Sequence, residues 1–164
     1  MNRKKLHLMT QAALIAAVYV VLTMVFAPFS FSEIQVRIAE ALTILPLFTP
    51  AAIPGLFIGC LLGNILGGAA LPDIIFGSLA TLIGAYGTWM LRNAKPFLAP
   101  LPPILANVAI IPFVLRYAYG INLPIPFMML TVGIGEVLSC GVLGLLLYYA
   151  LRKYKNNIFR QDNL

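Results

Sequence analysis

The chain has 164 residues, of which 61% are hydrophobic and 10% are charged, and its formal net charge is +6. A soluble domain carries about 25% charged residues, so this chain has too few charges to cover a water-facing surface, and a soluble fold is excluded. The basic residues lie apart along the chain rather than on one patch, which argues against nucleic-acid binding. The composition predicts an all-α integral membrane protein.

The uncharged stretches leave room for five or six membrane crossings, because one span needs about 20 apolar residues. Basic residues occur before the first stretch (3–5), between two later ones (92–95) and after the last (152–160). The positive-inside rule places all three in the cytoplasm. Two cytoplasmic termini require an even number of crossings, hence six. The predicted spans, which form a single transmembrane domain over 1–164, are 7–27, 34–49, 52–69, 73–91, 98–115 and 124–151.

The first span carries four alanines that make two overlapping pairs with a spacing of four: Ala12, Ala13, Ala16 and Ala17. Small residues at this spacing let helices approach closely in a membrane. The pattern fits packing within the bundle or a docking face for another membrane protein. Spacing alone favours packing within the bundle.

The second span begins with three charged residues, Glu33, Arg37 and Glu40, at spacings of four and three. On an α-helix they would share one face and pair along it. Charges this close to a membrane usually face an interior or a water-filled cavity. The sequence therefore leaves two interpretations open: an interfacial ion-pair stripe, or one wall of an outward-facing pocket.

The third span has a glycine at every fourth position, a stripe formed by Gly55, Gly59, Gly63 and Gly67. Each interior glycine costs a soluble helix about 1 kcal/mol relative to alanine, but in lipid the bare stripe favours close approach of another helix. Asn64 lies next to this stripe. Asp73 opens the fourth span, either as a helix N-cap or as a residue of the pocket.

The strongest candidate for a functional residue is Glu136, in the sixth span. It lies some ten residues into its helix, or about 15 Å at 1.5 Å per residue. A carboxylate at that depth needs a partner or a ligand, and a structural pair with Arg116 or Asn107 is the alternative. Tyr117 and Tyr119 lie in the outer loop between the fifth and sixth spans.

The residues of the common hydrolytic and metal-dependent sites are missing. The chain has one histidine, His7, and no phosphate-binding loop, His-Glu-x-x-His motif or serine–histidine–aspartate set. We therefore expect no enzyme activity, no cofactor and no metal. Cys60 and Cys140 fall inside spans, where packing is a better explanation than a disulfide.

Three blocks of the sequence are specific rather than generic hydrophobic runs: QVRIAEALTILP at 35–46, FTPAAIPGLFIGCLLGN at 48–64 and DIIFGSLATLI at 73–83. They resemble the queuosine-precursor S-components (QueT family) of energy-coupling-factor (ECF) transporters. The resemblance extends over nearly the whole chain. It implies a six-helix substrate-binding subunit in the plasma membrane of a prokaryote. Such a subunit binds a small-molecule 7-deazaguanine and works with a transmembrane coupling protein and two ATPase subunits.

The same resemblance implies where partner and ligand bind. In this family group, alanines on the first helix contact the coupling protein. The resemblance therefore favours a docking face for Ala12, Ala13, Ala16 and Ala17, rather than packing within the bundle. The ligand is enclosed near the outer face by loops that correspond to 28–34, 67–73 and 117–124, and by the outer parts of the fifth and sixth spans. The remaining alternatives are an S-component for another vitamin or purine-like micronutrient, and a membrane scaffold without a ligand.

A 7-deazaguanine suggests a role for each candidate side chain. We expect Glu136 to accept the ring N–H and the exocyclic amine as a bidentate pair, with Asn107 or Asn64 completing that edge. Glu40 or Asp73 would face the cationic arm of an aminomethyl precursor.

The flat ring would be covered by Tyr117 or Tyr119. Arg37 and Arg116 are further candidate binding residues, since two arginines could equally serve an anionic ligand. We expect both to be neutralised by neighbours, Arg37 by Glu33 and Glu40. The sequence does not distinguish queuine from the cyano or the aminomethyl precursor.

Overall fold

The computed structural model describes residues 3–26 and 37–158, except the side chains of residues 156 and 157. All regular elements in these ranges are helices. The main ones are α1 (Arg3–Val25), α2 (Ile38–Leu47), α3 (Ala52–Leu66), α4 (Leu71–Met90), α5 (Leu101–Tyr117), α6 (Ile125–Arg152) and α7 (Lys155–Ile158). Short 3₁₀ turns at Leu91–Asn93 and Pro96–Leu98 join α4 to α5.

Four helical segments are long and apolar enough to cross a membrane: Arg3–Val25, Leu71–Asn93, Pro96–Tyr117 and Ile125–Arg152. They correspond to the predicted spans 7–27, 73–91, 98–115 and 124–151. The other two predicted spans match the shorter apolar helices α2 and α3, of 10 and 15 residues. The all-helical class is confirmed, while the number of crossings and the side on which the termini lie remain predictions.

The second predicted span is not an α-helix where the structure describes it. Helix α2 is a 3₁₀ helix that contains Pro46, and Arg37 before it has an extended backbone with φ −86° and ψ 94°. Arg37 stands before the first residue of this 3₁₀ helix, so the pairing expected along one face of an α-helix does not apply to Arg37 and Glu40. The predicted shared face of Glu33, Arg37 and Glu40 is wrong for the last two, and Glu33 lies outside the described residues.

The glycine stripe of α3 packs against α1. A Cβ atom on Gly55 would lie 2.7 Å from the backbone oxygen of Ala12, and one on Gly59 would lie 2.7 Å from Cβ of Tyr19. Neither distance leaves room for a side chain, so the prediction of a close helix approach is confirmed. Gly67 is the C-cap of α3.

The largest buried apolar cluster joins α1, α2 and α3, and the last turns of α6 pack on it. Phe48 and Tyr148 stack there with their ring centroids 5.3 Å apart. A second cluster joins α5 and α6 through Ile111, Leu115, Met128 and Val132. Together with Ala85 of α4, which belongs to the first cluster, these contacts fix helices α1 to α6, which carry the polar residues described next.

Candidate functional site

Two groups of polar side chains, buried except for Tyr119, lie among the helices. We call the first the ion-pair cluster; it consists of Arg37, Asn64, Asp73 and Tyr119. We call the second the carboxylate cluster; it consists of Tyr19, Glu40, Thr81, Asn107, Glu136, Ser139 and Cys140. They differ in whether their polar atoms have partners.

The ion-pair cluster is held together by Asp73. Nη2 of Arg37 lies 3.3 Å from Oδ2 of Asp73, and the two side chains are 8% and 2% exposed. The hydroxyl of Tyr119 donates to the same Oδ2 at 3.0 Å and accepts a hydrogen bond from the Ala70 backbone N–H at 3.1 Å. The side-chain amide of Asn64 donates to the Asp73 carbonyl at 3.3 Å. This network joins the start of α4 to α3, to the residue before α2 and to the loop after α5.

Gly77 makes room for this network one turn further along α4. A Cβ atom there would lie 3.0 Å from Oδ1 of Asp73 and 3.2 Å from Nδ2 of Asn64. Real Cβ atoms rarely tolerate such distances from fixed groups, and the ion pair fixes both. A bare backbone at this position therefore permits the ion pair and the amide to lie side by side.

Two predictions about these residues are wrong. Arg37 was expected to pair with Glu33 and Glu40. Its carboxylate partner in the described chain is Asp73, so the pair with Glu40 is wrong, while Glu33 lies outside the described residues. Asp73 was expected as a possible N-cap, but Ala70 occupies that position and Asp73 lies in the first turn of α4. A carboxylate in a first turn is still favoured by the helix dipole.

Tyr119 remains protonated in this arrangement. Burial raises the pKa of its hydroxyl above the ordinary value, and the neighbouring negative charge of Asp73 acts in the same direction. At neutral pH the hydroxyl is therefore a donor to Asp73. The prediction that Tyr117 or Tyr119 covers a ligand remains untested, but only Tyr119 belongs to a polar cluster, and Tyr117 is 79% exposed.

The carboxylate cluster is organised around Glu40. Its Oε1 accepts hydrogen bonds from the hydroxyl of Tyr19 and from that of Thr81, the latter at 3.2 Å. Cys140 donates to Oε2 of Glu136 at 3.1 Å. The ligating atoms of Glu40, Glu136 and Cys140 all lie within 4.8 Å of one another. The fold thus brings together two carboxylates that are 96 positions apart in sequence.

The carboxylate cluster is incomplete. Three buried polar atoms have no hydrogen-bond partner in the described ranges: Oε2 of Glu40, Nδ2 of Asn107 and Oγ of Ser139. Asn107 lies beside Glu136 without a hydrogen bond of ordinary length. An unsatisfied buried polar group costs about 1–3 kcal/mol. A cluster with free acceptor and donor positions is suited to receive a polar ligand.

The helix that carries Glu136 changes its winding directly after it. Residues Val137–Leu143 form a π-helical segment, in which Ser139 and Cys140 are buried. π-helical turns are rare and often occur at functional sites. The segment places one thiol against Glu136 and leaves the Ser139 hydroxyl without a partner in the described part of the chain.

Arg116 lies apart from both clusters. Its guanidinium donates to the Leu123 carbonyl at 3.3 Å and is partly exposed. The partner found for the Glu136 carboxylate is the Cys140 thiol, so the alternative of a Glu136–Arg116 pair is wrong. Asn64 also belongs elsewhere, because it binds the backbone of Asp73.

Sequence reasoning missed the hydroxyl and thiol members of the carboxylate cluster. Tyr19 and Thr81 received no role, and Cys140 was assigned to packing, whereas all three bind a carboxylate. One signal was available for Cys140, which is four residues after Glu136 and therefore on its side of a helix. Nothing in the sequence relates Tyr19 or Thr81 to Glu40.

The alanines of α1 face two ways. Ala16 is buried, Ala12 is half-buried, and their backbones contact the glycine stripe. Ala13 and Ala17 are exposed. Ala12, Ala13 and Ala16 also line an apolar groove of about 520 Å³ between α1 and the start of α3, together with Pro50, Pro54 and Ile58. Packing and docking are thus compatible roles for this face.

Comparison with known proteins places this architecture in a family. Residues 9–153 match the QueT transporter family. The chain belongs to this family. Over 85 residues it is 34% identical to "Queuosine precursor transporter QueT" of Lactococcus lactis subsp. cremoris (strain MG1363), which covers 51% of this chain and 50% of that protein. The match thus spans about half the length of that relative. No solved structure matches the chain.

Proposed function

We propose that this chain is the substrate-binding subunit of an ECF-type importer and binds a queuosine precursor with a 7-deazaguanine ring. The family assignment supports a transporter, and the relative that carries this substrate in its name supports the precursor. In this proposal the chain crosses the plasma membrane of a prokaryote six times, with both termini in the cytoplasm.

The observation that carries the proposal is the incomplete carboxylate cluster. A 7-deazaguanine presents a ring N–H and an exocyclic amine side by side, and one carboxylate accepts both in a bidentate manner. Glu136 is assigned to this edge. The ring carbonyl needs a donor, and the unpartnered Asn107 amide beside Glu136 can supply one.

Energy for import is assigned to partner subunits. The proposed complex contains a transmembrane coupling protein and two ATPases, and this chain takes no part in ATP hydrolysis. The apolar groove lined by Ala12, Ala13 and Ala16 is the surface proposed for the coupling protein, because small residues permit close helix contact in lipid.

The proposal is tested by titrating the detergent-purified protein with 7-aminomethyl-7-deazaguanine, its cyano analogue, queuine, guanine and a panel of vitamins. We expect saturable binding of a deazaguanine and no binding of the vitamins. Binding of a carboxylated vitamin that is lost in Arg116→Ala would favour a different S-component. Absence of binding across the whole panel would favour a scaffold without a ligand.

A further inference from the structure

The buried charges of the described chain do not balance. Arg37, Glu40, Asp73 and Glu136 are all less than 10% exposed, so one cation is buried with three carboxyl groups. Arg37 is engaged by Asp73. Glu40 and Glu136 are left with neutral partners, the hydroxyls of Tyr19 and Thr81 and the thiol of Cys140.

The two remaining carboxylates are also close together. Their oxygens approach within 4.8 Å in a region from which water is largely excluded. Two ionised carboxylates at this distance would repel each other strongly in a medium of low dielectric constant. A positively charged ligand group between or beside them would remove this repulsion and satisfy the free Oε2 of Glu40.

The structure also decides which carboxylate is available to a cation. Asp73 is already bound by the Arg37 guanidinium and the Tyr119 hydroxyl. Glu40, by contrast, has one oxygen bound by the Tyr19 hydroxyl and the other without a partner in the described residues. The Tyr19 hydroxyl holds the carboxylate in place and orients its free oxygen, while Thr81 shares its one proton among Oε1 of Glu40, the Gly77 carbonyl and the Cys60 sulfur.

We propose that the site selects the cationic form of its ligand and that Glu40 is the specificity-determining residue that binds the ligand's ammonium group. This inference rests on the proposed function and deepens it: among deazaguanine precursors, the aminomethyl compound is the preferred one. Glu136 still binds the ring edge, so the two carboxylates bind two different parts of one ligand.

A metal ion is the competing occupant of such a group of ligating atoms. In the described chain the Cys140 sulfur lies 3.1 Å from Oε2 of Glu136, to which the thiol donates, and a metal ion would have to displace that proton. Sulfur binds a metal as thiolate, without that proton. The cluster is thus arranged as a hydrogen-bonded acceptor site.

The decisive comparison uses the wild-type protein and two ligands of nearly equal size, 7-aminomethyl- and 7-hydroxymethyl-7-deazaguanine. We expect the aminomethyl compound to bind about tenfold more tightly or better, because a hydrogen bond to a charged donor is about twice as strong as one between neutral groups. In Glu40→Gln the aminomethyl compound should lose this advantage, while the affinity for the hydroxymethyl compound changes less than about threefold. Retained hydroxymethyl binding also shows that the variant is folded.

The possible outcomes distinguish the role of Glu40 from the proposed function. Equal wild-type affinities for the two compounds would overturn the inference and leave the proposed function intact. Failure of every deazaguanine to bind would overturn both. An aminomethyl preference that required added Zn²⁺ would assign the cluster to a metal and overturn the role of Glu40.

Discussion

The two polar clusters of this chain contain similar residues but differ in whether their polar atoms have hydrogen-bond or ion-pair partners. In the ion-pair cluster Asp73 is bound by Arg37, Tyr119 and, through its backbone, Asn64. In the carboxylate cluster the unpartnered atoms belong to Glu40, Asn107 and Ser139. A completed buried network stabilises a fold, whereas an incomplete one costs stability. We therefore assign the first cluster to structure and, under the proposed function, the second to binding.

The largest expected effect comes from breaking the completed cluster. Arg37→Met leaves the Asp73 charge buried without its cation, and such a loss costs about 3–5 kcal/mol. Denaturant unfolding in detergent should show this as a lower unfolding free energy. The double variant Arg37→Met/Asp73→Leu removes both charges and should recover most of the loss. Unchanged stability in Arg37→Met would show that the ion pair has no structural role.

The two buried asparagines provide a matched pair. Asn64→Leu removes a donor to the Asp73 carbonyl and should lower the unfolding free energy by about 1–3 kcal/mol. Asn107→Leu removes an amide nitrogen that has no partner in the described chain, so stability should stay equal or rise. Deazaguanine affinity should fall about tenfold only in Asn107→Leu. Equal destabilisation by both substitutions would contradict the comparison.

The glycine stripe offers a test of packing that is independent of either cluster. In Gly59→Val the added Cβ would meet Tyr19 at 2.7 Å, and overpacking of this kind costs about 1–3 kcal/mol. Gly133→Ala is the control, since its nearest neighbour, Val108, is at an ordinary 3.5 Å. Thermal unfolding in detergent measures both variants. A well-tolerated valine at position 59 would mean that α1 and α3 are not in close contact.

The smallest expected effect concerns the tyrosines of the loop after α5. Tyr119→Phe removes a donor to Asp73 and an acceptor for Ala70, which should cost about 0.5–1.5 kcal/mol. Tyr117→Phe alters an exposed ring and should change the unfolding free energy by less than about 0.5 kcal/mol. Equal effects on the two unfolding curves would show that Tyr119 does not fasten this loop.

Composition and spacing predicted the parts of the fold that depend on local sequence. Long apolar stretches predicted the four long helices, because length and hydropathy are sufficient for that. The glycine repeat predicted a close helix contact, which the fold realises between α3 and α1. The spacing argument failed at α2, where a proline and a 3₁₀ geometry replace the assumed α-helix.

The charged residues of the candidate site could be predicted from the sequence, but the side chains that bind them could hardly be predicted at all. Glu40, Asp73 and Glu136 are conspicuous because charges inside apolar stretches are rare. Which group neutralises which depends on contacts between distant segments, such as Arg37 with Asp73 and Tyr19 with Glu40. These contacts arise from the packing of helices against one another, which periodicity along one helix does not encode.

The most direct test of the difference between the clusters compares one carboxylate-to-amide substitution in each, Glu136→Gln and Asp73→Asn. For both variants the unfolding free energy and the dissociation constant for 7-aminomethyl-7-deazaguanine are measured in the same detergent. Glu136→Gln is predicted to weaken ligand binding about tenfold or more with little change in the unfolding free energy. Asp73→Asn is predicted to lower the unfolding free energy more than Glu136→Gln does. Unchanged ligand binding in Glu136→Gln would contradict the assignment of the carboxylate cluster as the binding site.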